Sequence, residues 1–112
     1  LPVTRRVELI RESVSDLPNV RVDSFSGLIT EYMLAHDAHI IVRGVRSVKD
    51  LEYEQNEAYM VRHLEPAVDT VFLLTRPEYS FVSSSGIREL LHFGGEIHGL
   101  VPDNVEQAIK DM

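Results

Sequence analysis

The 112-residue chain contains no cysteine, which excludes disulfides, thiolate metal ligands and cysteine nucleophiles. It also contains no apolar run that approaches the roughly 20 residues needed to span a bilayer, so a transmembrane helix is excluded and no membrane partner is expected. The apolar fraction of 44% and the charged fraction of 26% are typical of a soluble globular protein. The length predicts one domain over residues 1–112.

Positive charge is scarce. The chain has eleven Lys and Arg residues and eighteen Asp and Glu residues, which gives a formal net charge of −7. This balance argues against the broad basic surface that nucleic-acid binding needs, so we expect no nucleic-acid partner. Only two of the eleven are lysines, Lys49 and Lys110, and the other nine are arginines, whose planar guanidinium suits recognition of phosphate or carboxylate. The composition therefore allows a small anion as ligand.

The spacing of apolar residues predicts helices that alternate with three short strands. Helices are predicted over residues 4–15, 28–35, 48–64, 87–93 and 105–109, and strands over residues 20–25, 40–42 and 71–74. The last two strands are continuous apolar runs, as in strands buried on both faces. Such an order predicts an α/β fold with a Rossmann-like doubly wound parallel sheet.

Three strands would leave two open edges in the sheet, whereas an open doubly wound fold normally has more strands. The chain also begins at Leu1 without an initiator Met or a signal-like leader. We therefore expect that N-terminal strands of a longer protein are missing from this sequence.

Polar residues follow the strand at 40–42 at the point where parallel sheets bind ligands. Arg43-Gly44-Val45-Arg46 comes directly after it. Gly44 would allow a tight turn or a close approach to a ligand, and the two arginines would place guanidinium groups at the strand end. The alternative is a surface turn with two solvated arginines.

A second polar segment, Tyr79 to Ser85, follows the strand at 71–74 and ends in three serines. Serine hydroxyls and unpaired amides at a helix start favour an anion, although ordinary capping needs one serine only. Two such segments on neighbouring strand ends together predict a phosphate-binding site.

Other candidate features are weaker. Glu54, in the acidic helix after Arg46, could point back toward the strand end, although a solvated acidic face is the simpler interpretation. His36 and His39 have a metal-ligand spacing, but the helix should end between them. The remaining histidines, His63, His92 and His98, are expected to have surface or packing roles. No HExxH, Walker A, GxGxxG or GxSxG pattern is present.

The string Arg43 to Glu54, RGVRSVKDLEYE, resembles a signature of the bacterial phosphopantetheine adenylyltransferase family, a branch of the nucleotidyltransferase superfamily. Tyr79 to Ser85 resembles the second nucleotide loop of that family, and Gly94-Gly95 followed by Val101-Pro102 fits its C-terminal region. The resemblance extends over essentially the whole chain in the right order.

This resemblance implies the transfer of an adenylyl group from ATP to 4′-phosphopantetheine, which gives dephospho-coenzyme A and pyrophosphate, with Mg²⁺ as cofactor. It implies that Arg43 contacts phosphopantetheine and that Leu28 and Ile29 line the pantetheine site. The ATP-binding positions that it implies are Gly44, Val45, Arg46, Glu54, Tyr79, Ser80, Phe81, Val82, Ser83, Ser84 and Ser85. The family's ligands also include coenzyme A, and its members are typically cytoplasmic homohexamers.

The sequence departs from the family in one large respect. The family's N-terminal strand, its T/H-x-G-H motif and a phosphate-binding lysine have no counterpart here, and the five histidines do not replace the missing one. We therefore assign no catalytic residue and no metal ligand within these residues, and expect the isolated chain to be inactive.

Two further hypotheses stay open. One is a related nucleotidyltransferase with another phosphorylated acceptor, such as a nicotinamide mononucleotide, which acceptor profiling would distinguish. The other is a noncatalytic module that binds nucleotide or a partner through the same residues, which ATP binding without pyrophosphate release would support.

Overall fold

The computed structural model describes all 112 residues and contains five α-helices and two β-strands. In chain order they are α1 (Val3–Ser13), α2 (Ile29–Ala35), β1 (Ile40–Val45), α3 (Val48–Leu64), β2 (Asp69–Leu74), a 3₁₀ helix (Pro77–Tyr79), α4 (Ser84–His92) and α5 (Asp103–Lys110). The residues form two compact units, one of residues 26–81 and one of residues 1–25 with 82–112. No helix has the length and the apolar character that crossing a membrane requires.

The unit of residues 26–81 is built on a parallel pair of strands joined by a helix. β1 pairs with β2 from Ile40 opposite Asp69 to Val45 opposite Leu74, and α3 crosses over between them and packs on both strands. The hydroxyl of Ser47 caps α3 by accepting a hydrogen bond from the Asp50 amide at 3.1 Å, as the capping-box spacing predicts. A parallel sheet flanked by helices confirms the α/β class and agrees with part of a Rossmann-like fold.

The two strands are covered unequally. Successive side chains point to opposite faces of a sheet, and the face that carries Ile41 and Thr70 lies beneath α3. On the other face the apolar side chains are exposed, at 63% for Ile40, 60% for Val42, 44% for Val71 and 58% for Leu73. The prediction that both strands are buried on both faces is therefore wrong, because α3 covers one face only.

The predicted strand at residues 20–25 is absent, so the sheet has two strands rather than three. Instead of a ladder hydrogen bond, the carbonyl of Val22 accepts one from Nη2 of Arg11 at 3.2 Å. Alternation of apolar and polar residues over a few positions favours a strand, but a strand also needs a partner in register.

The other unit contains α1, α4 and α5. Its buried apolar residues include Leu9 in α1, Ile97 and, in α5, Ala108, and α1 packs directly on α5. α4 ends at His92 and is followed by Gly94, whose φ of +74° is the left-handed conformation that commonly terminates helices. The predicted helices of this unit are confirmed to within a few residues at each end.

Candidate functional site

β1 and α3 bring Arg43 against Glu54. Arg43 lies within the strand, and its Nε is 3.5 Å from Oε2 of Glu54. Glu54 lies nearly two turns into α3 and is less exposed than Arg43, with 22% against 47% of the side chain accessible. Such a half-exposed ion pair adds little to stability. The ion pair matters because it brings two residues that the sequence predicts for the site into direct contact.

Arg46 comes just after β1 and contacts the first turn of α3. Oδ2 of Asp50 accepts hydrogen bonds from both the Arg46 amide, at 3.1 Å, and the Arg46 Nε, at 2.9 Å. The hydrogen bond from the guanidinium is the main reason why the pKa of Asp50 is lower than its ordinary value. One carboxylate therefore restrains both the main chain and the side chain of Arg46. Asp50 is not among the residues that the sequence predicts for this site.

Gly44 is part of the strand and not of a turn. It pairs with Leu73, and it is not one of the residues with positive φ. A Cβ at this position would meet Oγ1 of Thr75 at 3.8 Å, an ordinary van der Waals distance. Of the two roles expected for Gly44, the tight turn is not found, because β1 continues to Val45; a close approach to a ligand stays a prediction. Val45 as a whole residue is only 2% exposed, so neither its side chain nor its main chain is open to a ligand in this structure.

A small cavity of about 50 Å³ lies between α3 and the sheet and is lined by three predicted site residues, Ile29, Arg43 and Glu54. Binding pockets for small molecules measure roughly 300–1,000 Å³, so this cavity cannot enclose a nucleotide. It shows instead that the start of α2 reaches the Arg43–Glu54 pair. Leu28 precedes α2 and is 52% exposed.

The second predicted segment is divided between the two units: Tyr79, Ser80 and Phe81 belong to the unit of residues 26–81, and Val82 to Ser85 belong to the other. In the first part Pro77–Tyr79 forms a 3₁₀ helix, and the Ser80 hydroxyl donates to the carbonyl of Pro77 at 2.9 Å. The Phe81 ring is exposed.

The serine run opens α4. The Ser83 hydroxyl accepts a hydrogen bond from the Gly86 amide at 3.0 Å and so caps the helix. The hydroxyls of Ser83 and Ser85 are 3.2 Å apart. One serine thus provides the ordinary cap, and Ser84 and Ser85 occupy the first turn, where the amide groups and the helix dipole favour an anion.

Residues 1–90 match the Cytidylyltransferase-like family, a span that includes β1, α3, β2 and the whole of Tyr79 to Ser85. The chain belongs to the cytidylyltransferase-like family. Family membership places the chain among the nucleotidyltransferases and implies a nucleoside triphosphate as ligand.

In this cytidylyltransferase-like chain His36 and His39 do not form a metal site on one helix. α2 ends at Ala35 with His36 as its C-cap residue, so the helix ends just before the two histidines and not between them. His36 uses Nδ1 to contact the Tyr32 carbonyl at 2.9 Å and stacks on the Tyr32 ring, whereas His39 Nε2 lies 3.1 Å from Oδ1 of Asp37. Local partners therefore account for both rings.

A cluster of charged residues around Glu106 lies outside the set of residues that the sequence predicts for a site. Glu106 of α5 is only 8% exposed, and its two carboxylate oxygens contact Nδ1 of His98 at 3.0 Å and Nζ of Lys110 at 2.8 Å. Asp103 adds a third group whose oxygen lies within 4.8 Å of the His98 and Glu106 ligand atoms. Since the Lys110 ammonium already contacts Glu106, we interpret the cluster as an ion-pair network. The four-residue spacing of Glu106 and Lys110 was readable in the sequence, but the approach of His98 was not.

Proposed function

We propose that this nucleotidyltransferase chain serves the transfer of an adenylyl group from ATP to 4′-phosphopantetheine, a step of coenzyme A biosynthesis. The family match supports nucleotidyl transfer in general. The finer assignment rests on the resemblance of RGVRSVKDLEYE at residues 43–54, and of the segment from Tyr79 to Ser85, to the phosphopantetheine adenylyltransferases. The same resemblance extends the proposal to a cytoplasmic homohexamer, which sedimentation would test.

The single observation that carries the proposal is the placement of Arg43 and Arg46. Arg46 lies just beyond the carboxyl end of β1, where sheets of this kind bind their ligands, whereas Arg43 lies within the same strand and pairs with Phe72. Each of the two arginines contacts an acidic residue of α3. Arg43 would bind the phosphate of phosphopantetheine, and Arg46 would bind a phosphate of ATP. Glu54, which holds Arg43, would lie beside the nucleotide.

In the proposed reaction a phosphate oxygen of the acceptor attacks the α-phosphorus of ATP. A bond forms between that oxygen and the α-phosphorus, the bond to the oxygen that bridges the α- and β-phosphorus atoms breaks, and pyrophosphate leaves. Positioning and charge stabilisation supply most of the catalysis in such transfers. Arginine side chains provide both without a covalent intermediate.

A resident Mg²⁺ does not fit the protein side of this site. The protein usually contributes one or two carboxylates to Mg²⁺, with substrate phosphates and waters as the other ligands, and the carboxylates of Asp50 and Glu54 each lie against an arginine. A cation at either position would meet a guanidinium at short range. The proposal therefore includes no step that depends on a metal ion held by these residues.

Binding is the direct test, because no T/H-x-G-H motif occurs in the 112 residues. Calorimetric titrations of the chain with ATP, CTP, 4′-phosphopantetheine and nicotinamide mononucleotide compare donor and acceptor classes. We expect ATP to bind more tightly than CTP, and phosphopantetheine more tightly than nicotinamide mononucleotide. Arg46→Ala should weaken ATP binding selectively, and Arg43→Ala should weaken phosphopantetheine binding selectively.

Three results would contradict the proposal in different ways. Absence of ATP binding would show that the chain contains no nucleotide-binding site. Binding of nicotinamide mononucleotide in place of phosphopantetheine would favour a related transferase with another acceptor. ATP binding with no acceptor binding would favour a noncatalytic nucleotide-binding module. Circular dichroism of each variant checks that the fold is retained.

A further inference from the structure

The first turn of α3 contains a carboxylate that holds Arg46 at two points. Oδ2 of Asp50 accepts from the main-chain amide of Arg46 at 3.1 Å and from its Nε at 2.9 Å. By contrast, Arg43 meets Glu54 through a single and longer contact of 3.5 Å. Asp50 therefore restrains Arg46 more tightly than Glu54 restrains Arg43.

Asp50 is itself held in place. Its amide donates to the Ser47 hydroxyl that caps α3, so its main chain belongs to the first hydrogen-bonded turn of a 17-residue helix. Its side chain is 30% exposed and that of Arg46 is 37% exposed. In an ordinary capping box the acidic side chain reaches back to the amide of the capping residue. Here it reaches one residue further, to Arg46.

We propose that Asp50 is a positioning residue, which orders the Arg46 guanidinium before a nucleotide phosphate arrives. An arginine side chain has many rotamers and loses substantial entropy when it is fixed. Fixing it in advance lowers the cost of binding. This inference rests on the proposed function, because that function assigns ATP binding to Arg46. The contact between Asp50 and Arg46 does not depend on that assignment.

Two observations support a role in ordering and argue against a generic acidic residue at a helix start. The carboxylate accepts a hydrogen bond from the Arg46 Nε at 2.9 Å, and this hydrogen bond is the main reason why the pKa of Asp50 is below its ordinary value. The hydrogen bond from the Arg46 amide to Asp50 also restrains the main chain where it leaves β1. The same carboxylate therefore orients both the main chain and the side chain of Arg46. A residue that only favoured the helix dipole would need neither contact.

The experiment combines arginine side-chain NMR with ATP titration of the full chain. In the wild type we expect a distinct, slowly exchanging Nε–H resonance of Arg46, which Arg46→Ala assigns. Asp50→Asn should move this resonance to the position of solvated arginines and weaken ATP binding by about fivefold to tenfold. Asp50→Glu, which keeps a carboxylate, should preserve part of the shift of the Arg46 resonance and part of the ATP affinity. Glu52→Gln, which makes the same charge change on the same helix two residues away, should alter neither.

A double-mutant cycle separates positioning from a direct contact. If Asp50 acts through Arg46, Asp50→Asn should weaken ATP binding no further in the Arg46→Ala background. Additive losses would overturn the inference, and so would an Arg46 resonance that does not respond to Asp50→Asn. If instead the proposed function is wrong, Arg46→Ala should leave ATP binding unchanged. The NMR response to Asp50→Asn would still show whether the carboxylate orders the arginine.

Discussion

Nδ1 of His98 lies 3.0 Å from Oε2 of Glu106, a carboxylate that is almost fully buried in the structure. Lys110 contacts the other carboxylate oxygen. The hydrogen bond to Glu106 is the main reason why the pKa of His98 is raised above 6.5, and the charges of Glu106, Asp103 and Glu96 add to it. The pKa of Glu106 is lowered, mainly by Lys110 and then by His98.

The His98–Glu106 contact predicts a pH dependence of stability with a definite sign. Because the folded pKa of His98 is raised, protonation stabilises the fold; this contribution is full below the unfolded pKa of about 6.5 and is lost as the pH rises through the folded value. Glu106 contributes in the opposite sense, since its lowered pKa provides stability above its unfolded value and loses it in acid.

Urea unfolding of wild type and His98→Gln at about pH 6 and about pH 9 measures this dependence. The free-energy difference between the two proteins should be larger at the lower pH. In the Glu106→Gln background the effect of His98→Gln should change less with pH, because only the smaller contributions of Asp103 and Glu96 to the pKa of His98 remain. An equal effect at both pH values in the wild-type background would contradict the prediction.

Asn104 links α5 to α1, and its loss should destabilise the fold. Its Nδ2 donates to the Leu9 carbonyl and to Oε2 of Glu12, each at 3.0 Å, and its Oδ1 accepts from the Ser13 hydroxyl at 3.2 Å. We expect Asn104→Ala to lower the free energy of unfolding by about 1–3 kcal/mol. Asn56→Ala, the same change at an exposed position of α3, should be neutral or slightly stabilising because alanine favours a helix. Equal losses in urea unfolding would contradict this role of Asn104.

Leu9 and Ile10 are neighbours in α1 with opposite environments, 2% and 50% exposed. Truncation of a buried leucine leaves a cavity, so Leu9→Ala should lower the free energy of unfolding by about 2–5 kcal/mol. Ile10→Ala removes side-chain surface that is half in water and gains helix propensity, so it should cost less than about 1 kcal/mol. Thermal melts of the two variants compare these costs within one helix, and similar melting temperatures would contradict the assignment of Leu9 to the core.

Local signals predicted α3 well. Ser47 and Asp50 have the spacing of a helix start, Pro66 is incompatible with continuation, and the helix indeed runs over Val48–Leu64. The two β-branched and aliphatic runs at residues 40–42 and 71–74 likewise lie within β1 and β2. These features depend on neighbours along the chain, which the sequence displays directly.

Features that need a distant partner were predicted less well. Residues 20–25 alternate like a strand but have no ladder, since the Val22 carbonyl is paired with the Arg11 side chain. The apolar character of Ile40 and Val42 does not reveal that their face of the sheet is exposed. Pairing and burial are properties of packing between segments, and apolar periodicity within one segment cannot determine them.

The sequence by itself determined the α/β order, the start of α3 and the presence of two arginines in and just after β1, because each depends on residues close together in the chain. Only the tertiary structure decided which acidic side chain meets which arginine: Asp50 contacts Arg46, and Glu54 contacts Arg43. The contact of Arg43 with Glu54 depends on how α3 packs against β1, whereas Arg46 and Asp50 are four residues apart and meet at the start of the helix. His98 likewise reaches Glu106 from outside α5, so the spacing of residues within that helix does not reveal the contact.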